Sequence, residues 1–272
     1  QLYYHGMMLP GFIFLILFNF VPMFGVIMAF QDYRPAKGFF GSDFVGLKHF
    51  KYLFEMPDSF ELFRNTLIIA FFTVLFGALL GTLLAVMKMG RFKPTRWFAN
   101  AYIEFIRGTP LMIQLMFLFY GLPMLGISFP EVSFIPNFDR FAAGVFAMSI
   151  NSAAYVAEIV RSGIQAVDYG QTEAARSLGF RQGQAMQMVV LPQAIKNILP
   201  ALGNEFVTVI KESSIVSIIG IADLMYRTNG VMAITYIQLE PLAIAAIIYF
   251  AMTFTTSRLI AFAERRMSNA SK

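Results

Sequence analysis

The chain has 272 residues and a formal net charge of +5, and 57% of its residues are hydrophobic while only 14% are charged. Because soluble domains carry about 25% charged residues, this composition indicates a membrane protein. The sequence contains no cysteine, which excludes disulfides and thiolate metal sites. The small basic excess is typical of loop residues that orient membrane spans and does not indicate a nucleic-acid-binding surface.

Six apolar runs are long enough to cross the hydrocarbon core of a bilayer, for which a helix needs about 20 residues. They cover residues 9–30, 65–87, 101–122, 141–157, 197–220 and 241–257. Their apolar residues do not alternate as those of β-barrel strands do. We therefore predict an all-α integral membrane protein with about six transmembrane helices. Since the sequence begins at Gln1 and not at methionine, we expect further residues before it.

Lysines and arginines in the connecting segments predict the orientation of the spans, because cytoplasmic loops carry the excess of basic residues. With a cytoplasmic N-terminus, the inside segments hold 12 lysines and arginines and the outside segments hold 7. The clearest inside segment is 88–98, which has four basic residues and no acidic one. We predict that both termini are cytoplasmic, and that the polar stretch 168–192 lies on the same side.

The segment 173–192 reads EAARSLGFRQGQAMQMVVLP and is too polar to span a membrane. Asp168, followed three residues later by Gln171, is a capping-box pattern that predicts a helix over 169–178. Gly179 fits the left-handed position that commonly ends a helix. The first half of the segment is therefore predicted to be a short helix that stops at a sharp turn.

A second short helix is predicted over 181–190, and it should end before Pro192, whose ring disfavours helix at the preceding residue. The apolar side chains at the turn would form a small knob, made of Ala174, Ala175, Leu178 and Phe180. Two interpretations of this helix pair stay open. It is either a solvated interfacial element without a partner or a docking surface for a cytoplasmic protein.

Charged pairs at a three-residue spacing occur at the cytoplasmic ends of two predicted spans. Glu104 and Arg107 precede a bend expected at Pro110, and Glu158 and Arg161 end the fourth span. Residues three apart share a helix face and can pair, whereas an unpaired charge in the bilayer is costly. Each pair is either a structural ion pair or part of a gate or substrate path.

Polar side chains inside the fourth and fifth spans are candidates for a substrate path, because such groups need partners in hydrocarbon. They are Asn151, Ser152, Tyr155, Asn204, Glu205, Glu212 and Ser213. Glu205 and Glu212 are seven residues apart and share a helix face, while Lys211 should point elsewhere. The polar groups of the fourth span have neighbouring helices or substrate as partners, and those of the fifth span line a path or pack in an ion-paired subunit interface. A carboxylate in a path would suit a cationic or zwitterionic amino acid.

Motifs for nucleotide hydrolysis and for metal binding are missing from the sequence. There is no G-x-x-x-x-G-K-[ST] phosphate loop, so ATP and Mg²⁺ would have to be bound by a partner. There is no H-E-x-x-H motif, and His5 and His49 are too distant in sequence to suggest a zinc site. We predict a chain that is not an enzyme, with no catalytic residues, no metal site and no cofactor of its own.

The stretch Glu173-Ala174-Ala175, with Gly179 six residues after Glu173 and Leu191-Pro192 beyond it, resembles the EAA motif of ABC-importer permeases. In that family the segment forms a pair of coupling helices that dock on the ATP-binding subunit. The resemblance implies the fold of a type I importer permease and a cytoplasmic coupling-helix pair over 168–192. The residues it assigns to ATPase coupling are Glu173, Ala174, Ala175, Leu178, Gly179, Phe180, Leu191 and Pro192.

Longer phrases resemble two branches of the same superfamily. Residues 76–272, which contain AYIEFIRGTPLMIQL and SINSAAYVAEIVRSGI, are similar to polar amino acid permeases. Residues 1–75, which contain LPGFIFLILFNFVPM, are similar to six-span carbohydrate permeases. We accordingly divide the chain into an extra N-terminal helix with an external loop, 1–64, and a five-helix permease core, 65–272.

Together these resemblances imply a multi-pass permease subunit of an ATP-driven importer in the bacterial plasma (inner) membrane, with polar amino acids as cargo. A carbohydrate importer is the alternative, followed by an ATP-independent channel or secondary transporter. Secondary transporters commonly contain internal repeats, and the sequence has none. The implied partners are cytoplasmic ATPase subunits that bind ATP and Mg²⁺, a second permease subunit of the same or a homologous sequence, an extracytoplasmic substrate-binding protein and the lipid bilayer.

Overall fold

A computed structural model describes residues 2–133 and 137–269, which are mostly helical. A two-stranded antiparallel sheet pairs β1 (Gln31–Asp32) with β2 (Asp43–Phe44). The helices are α1 Leu2–Leu15, α2 Val21–Met23, α3 Gly38–Gly41, α4 Lys48–Glu55, α5 Ser59–Met89, α6 Lys93–Gly108, α7 Leu111–Met124, α8 Phe138–Gln165, α9 Tyr169–Ser177, α10 Gln182–Ala185, α11 Leu191–Glu212, α12 Leu224–Thr235 and α13 Leu239–Asn269.

Four helical stretches of the described chain are long and apolar enough to cross a membrane. They are Tyr3–Phe30, Ser59–Met89, Phe138–Gln165 and Leu239–Arg266. A fifth span results if α6 and α7 are counted as one. The predicted fifth run, 197–220, lies in α11 and the 3-10 helix Ser213–Ile219 that follows it. Because its charges keep it out of this set, the count of six spans stays a prediction.

The predicted third span, 101–122, is not one helix. α6 and α7 meet at an angle of 106°, with Thr109 and Pro110 between them in extended conformations. The proline ring disfavours helix at the residue before it, and Gly108 ends α6. The bend expected at Pro110 is confirmed, but it breaks the helix instead of kinking it.

The core forms where α5 lies against α8 at very short range. A Cβ atom at Gly81 would lie 2.7 Å from both the Ala153 carbonyl oxygen and the Val156 Cβ, and one at Gly77 would lie 2.9 Å from the Ser152 Oγ. Gly77 and Gly81 form a G-x-x-x-G motif, which lets two membrane helices approach until their backbones touch. α11 joins this pair, and Gly163 of α8 leaves room for its Ile198.

The N-terminal helix runs from α1 through a π-helical turn (Ile16–Phe20) and α2 to a 3-10 segment (Phe24–Phe30). Most of its large apolar side chains are exposed in the isolated chain. Burial begins only at Met28 and Ala29, which pack with Phe50 of α4 and with α13. The helix is therefore attached to the rest of the chain at one end alone.

A small subdomain connects this helix to α5. The helix α4 is amphipathic and buries Phe50. His49 Nε2 lies 3.1 Å from Glu240 Oε1 at the start of α13, and the Asn65 side chain donates to the Ala222 carbonyl oxygen at 2.8 Å. α5 crosses the predicted domain boundary at 64/65 without interruption, and the division into domains stays a prediction.

Candidate functional site

The polar stretch 168–192 folds into a capped elbow after the end of α8. The Asp168 Oδ1 accepts the backbone N–H of Gly170 at 2.7 Å, which caps the start of α9. Gly179 has a φ of 89°, a conformation that costs other residues roughly 1–2 kcal/mol. The Gly179 N–H donates to the Arg176 carbonyl oxygen, and the Phe180 N–H donates to the Ala175 carbonyl oxygen. These two bonds form the Schellman ending of a helix. The predicted turn at Gly179 is confirmed.

The predicted capping box is only half formed. The Gln171 side chain does not return to Asp168 but accepts a hydrogen bond from Gln193 Nε2 at 3.3 Å. Because Gln193 lies on α11, this bond joins the first helix of the elbow to the helix that leaves it. At the second helix the Arg181 backbone N–H donates to Gln184 Oε1 at 2.9 Å, which is also only half of a capping box, because the arginine side chain has no acceptor for the other half.

The predicted stop at Pro192 is wrong. α10 passes through a π-helical turn (Met186–Val190) directly into α11, and the Leu191 N–H donates to the Met186 carbonyl oxygen. Pro192 then occupies the first turn of α11, where a missing N–H is tolerated. The elbow is therefore continuous with α11 and can transmit a force to it.

The elbow presents a mostly exposed surface. Leu178 is 80% exposed, and Glu173, Ala174, Leu191 and Pro192 are also exposed, while Phe180 is half-buried. Ala175 is only 4% exposed, so this residue of the predicted knob packs inside the elbow. The docking role of this surface stays a prediction.

An ion-pair cluster lies where α5 and α8 approach the elbow. The Glu158 carboxylate accepts from the Arg161 guanidinium at 2.7 and 2.9 Å, which confirms the predicted pair. Lys88 Nζ of α5 lies 2.5 Å from the other Glu158 oxygen, and the sequence analysis did not identify this partner. Arg91, at the end of α5, donates to Gln182 of the elbow at 3.1 Å.

The predicted Glu104–Arg107 pair is not found among the ion pairs of the described residues. Both side chains are exposed, and the Arg107 guanidinium lies over the Tyr155 ring, 5.4 Å from its centroid. The break after Gly108 places Arg107 at the very end of α6, within reach of α8. Tyr155 is 38% exposed and so lies at an accessible edge of the helix bundle.

The buried polar residues of α8 pair with two different helices. The Asn151 amide donates to Gln114 Oε1 of α7 at 2.9 Å. Gln114 Nε2 in turn donates to backbone and side-chain oxygens at the break, including Thr109 Oγ1 at 2.7 Å. The Ser152 hydroxyl donates to Glu205 Oε1 of α11 at 2.8 Å. Neither Gln114 nor Thr109 was among the sequence candidates, although Gln114 is the only strongly polar side chain of α7.

The remaining path candidates fall into different environments. Ser213 is fully buried and donates to its own helix at the Ile210 carbonyl oxygen, 2.8 Å away, so it does not face a path. Asn204 is exposed. Glu212 lines a groove of about 650 Å³ that we call the Glu212 groove.

The Glu212 groove is open on one side and lies where α11 ends beside the start of α7. Its other lining residues include Pro110, Thr208 and Lys211. Lys211 was expected to point away from Glu212, yet both side chains line the groove and are exposed at the end of α11. The groove thus carries one cation and one anion side by side.

A set of membrane-spanning helices, a continuous elbow and buried polar side chains that link three helices defines a helical membrane permease. The chain belongs to the family described as the binding-protein-dependent transport system inner membrane component, whose model matches residues 74–269. The elbow and the polar contacts of α8 and α11 all lie within the matched range.

Similar proteins with known names are permeases. The arginine transport system permease protein ArtQ of Bacillus subtilis (strain 168) is 42% identical over 215 residues, which are 79% of this chain and 94% of ArtQ. The putative glutamine transport system permease protein GlnP of Rickettsia conorii is 40% identical over 80% of this chain and 98% of its own length.

Two solved structures resemble different extents of the chain. An amino acid ABC transporter crystallised with histidines is 49% identical, with a TM-score of 0.70, and covers 80% of this chain and 95% of its own. A bacterial ABC transporter for the acidic polysaccharide alginate is 17% identical, with a TM-score of 0.71, and covers 96% of this chain and 94% of its own. The second likeness shows the fold alone, and it extends over nearly the whole chain.

Proposed function

We propose that this permease subunit imports polar amino acids and converts ATP hydrolysis by a partner subunit into movement of its helices. The cargo is supported by relatives named for arginine and glutamine at about 40% identity and by the amino acid transporter at 49% identity. ATP and Mg²⁺ would bind to the partner. The carbohydrate alternative is supported only by the similar fold of the alginate transporter, which is 17% identical.

The observation that carries the coupling role is the continuity of the elbow with α11. A partner that moves Leu178 would move α9, and the π-helical turn and the Gln171–Gln193 contact pass this movement to α11. α11 carries Glu205, which is bonded to α8. A rigid element that links a docking surface to helices in the membrane is a common device of switching proteins.

In this proposal both termini and the elbow are cytoplasmic, in keeping with the basic residues of 88–98. A second permease subunit, identical or homologous, covers the Glu212 groove and completes the path. An extracytoplasmic binding protein delivers the cargo to the opposite side of the bacterial inner membrane. One solved relative by fold is an alginate transporter in complex with its periplasmic protein.

Docking is tested by Leu178→Glu, with Leu125→Glu as the matched control. Both leucines are exposed, at 80% and 76%, but Leu125 follows α7 and is far from the elbow in sequence. We expect Leu178→Glu to weaken binding of the ATPase subunit by about tenfold or more, since an apolar anchor is replaced by a charge. Co-purification from membranes and ATPase stimulation measure this. Equal ATPase binding by both variants would remove the elbow from the coupling surface.

The path is tested by Glu205→Gln and Glu212→Gln in proteoliposomes with the binding protein and ATP. We expect uptake of arginine or glutamine to fall about tenfold, the usual loss when a charged hydrogen bond is removed. Glu61→Gln is the control, because Glu61 is an exposed carboxylate at the start of α5. Full uptake by both path variants, in correctly assembled transporters, would exclude these carboxylates from the path.

A further inference from the structure

A mostly apolar cavity, with Arg227 and Glu240 in its lining, lies at the end of the bundle opposite to the elbow. It has a volume of about 240 Å³ and lies between α4, α12 and α13. We call it the rim cavity. Four of its lining residues, His49, Tyr52, Leu53 and Met56, lie outside the range 74–269 that matches the permease family. The rim cavity is therefore formed jointly by the N-terminal subdomain and the core.

One wall of the rim cavity carries a buried anion. Glu240 is only 9% exposed, and its Oε1 lies 3.1 Å from His49 Nε2. His49 Nε2 is also 3.1 Å from the Gln31 carbonyl oxygen, so the imidazole is shared between two acceptors. An ionised carboxylate offers about four acceptor positions, and a ligand with several N–H donors can use those that His49 leaves.

Another wall carries an accessible cation. The Arg227 guanidinium makes one weak contact, with Met56 Sδ at 3.4 Å. No carboxylate of the described residues lies within ion-pair distance of it. Arg227 has five N–H donors arranged to grip a planar carboxylate with two parallel bonds. Most of the other lining side chains are apolar and include Leu53, Val231 and Ile244, while Thr228 and Thr235 are polar.

We propose that the rim cavity binds a free zwitterionic amino acid, with its ammonium group at Glu240 and its carboxylate at Arg227. Few ligands match an apolar cavity with one anion and one cation in its walls, and the cavity is small enough to select a compact one. The cavity lies outside the buried polar contacts of α8 and α11. The proposal therefore does not depend on the path described above.

The test uses the full chain in lipid nanodiscs, without binding protein or ATPase, and measures heat on titration with glutamine. Two analogues report on the two charges. 4-Aminobutanamide lacks the carboxylate, and glutaramic acid lacks the ammonium group. We expect saturable binding of glutamine and about tenfold weaker binding of each analogue, because each has lost a charged hydrogen bond.

Variants of the lining residues test whether glutamine binds in the rim cavity. Arg227→Gln should weaken glutamine binding about tenfold, and Val231→Phe should abolish it by filling the space without changing charge. Glu240→Gln should act like Arg227→Gln, but this substitution also removes the ion-pair partner of His49. If Glu240→Gln does not fold, Arg227→Gln and Val231→Phe decide the outcome. Glu61→Gln, at an exposed carboxylate of α5, should bind glutamine as the unmodified chain does.

Three results would overturn the proposal. They are no saturable binding by the folded chain, binding that survives both Arg227→Gln and Val231→Phe, and binding that is lost in Glu205→Gln and kept in Arg227→Gln. The last result would place glutamine in the path and support the proposed function instead. Loss of uptake in the path variants with unchanged nanodisc binding would support both sites independently.

Discussion

α8 and the N-terminal helix are both long enough to cross a membrane, but they relate to the protein in opposite ways. Within the described chain, 72% of the apolar stretch of α8 is buried, whereas only 12% of the apolar stretch of Tyr3–Phe30 is buried. The N-terminal helix is the more apolar of the two. In this chain, the less apolar helix is the one that packs.

The physical reason is that lipid, and not water, surrounds these helices. Lipid tails are as apolar as leucine, so apolar side chains gain little by leaving them, and membrane helices associate through close packing and polar contacts. α8 has the residues for both. Its buried small and polar residues are Ala143, Gly144, Ala147, Ser149, Asn151, Ser152, Ala153, Ala154, Ala157 and Gly163. The N-terminal helix offers phenylalanines and leucines to the outside and needs only lipid.

The largest expected effect compares a residue of α7 that belongs to one core cluster with Val145 and Met148 of α8 with a residue of the N-terminal helix, by a single type of substitution. Leu115→Ala in α7 removes a side chain that is 0% exposed and should lower the free energy of unfolding by about 2–5 kcal/mol through the cavity that it leaves. Leu17→Ala in the N-terminal helix, where Leu17 is 53% exposed, should change it by less than about 0.5 kcal/mol. Unfolding in mixed micelles of increasing SDS content, followed by circular dichroism, measures both. Similar losses in the two variants would mean that another part of the protein covers the N-terminal helix.

Local signals made the elbow predictable. Asp168 and Gly179 act on the backbone within a few residues, so the start and end of α9 could be predicted from the sequence alone. Pro192 misled the prediction, because its effect depends on whether the preceding turn widens, and only the packed structure decides this. The break at Pro110 was expected as a bend, but its angle depends on Gln114, which bonds to the broken turn.

Contacts between distant segments were not predictable in the same way. Ser152 and Glu205 are separated by 53 residues, and Lys88 and Glu158 by 70. Periodicity shows which residues share a helix face, but it does not say which helix that face meets. The sequence therefore identified Glu205 and Glu158 as residues in need of partners and could name only the local one, Arg161.

A buried carboxylate outside the membrane spans leads to a prediction about pH dependence. Asp223 is fully buried and caps α12 through the Tyr226 N–H at 2.7 Å. Burial raises the pKa of Asp223 from 3.8 to about 6, although hydrogen bonds to it act in the opposite direction. Because the pKa is higher in the folded state, the stability that Asp223 contributes is fully present below about pH 4 and is lost as the pH rises through about 6.

The corresponding change in unfolding free energy is about 2–3 kcal/mol between pH 4 and pH 7. Asp223→Asn keeps a side-chain oxygen for the cap and should abolish this part of the pH dependence. Asp223→Ala should abolish it too, with a further loss of about 1 kcal/mol from the missing cap. Thermal unfolding of the three proteins across this pH range distinguishes the two effects. An unchanged pH profile in Asp223→Asn would assign the dependence to another group.

The smallest expected effect compares a glycine of α5 that faces α8 with a glycine of the N-terminal helix. A Cβ at Gly81 would lie 2.7 Å from backbone and side-chain atoms of α8, whereas nothing lies within 4 Å of one at Gly11. Gly81→Ala should push α5 and α8 apart and cost about 1–3 kcal/mol of unfolding free energy. Gly11→Ala should stabilise its helix slightly, because alanine is the better helix former. If Gly11→Ala were destabilising as well, the N-terminal helix would have to pack closely on a second subunit in the membrane, and its exposure in the isolated chain would mark an interface. A slight gain in stability in Gly11→Ala, together with a loss of stability in Gly81→Ala, would mean that lipid alone surrounds that face of the N-terminal helix.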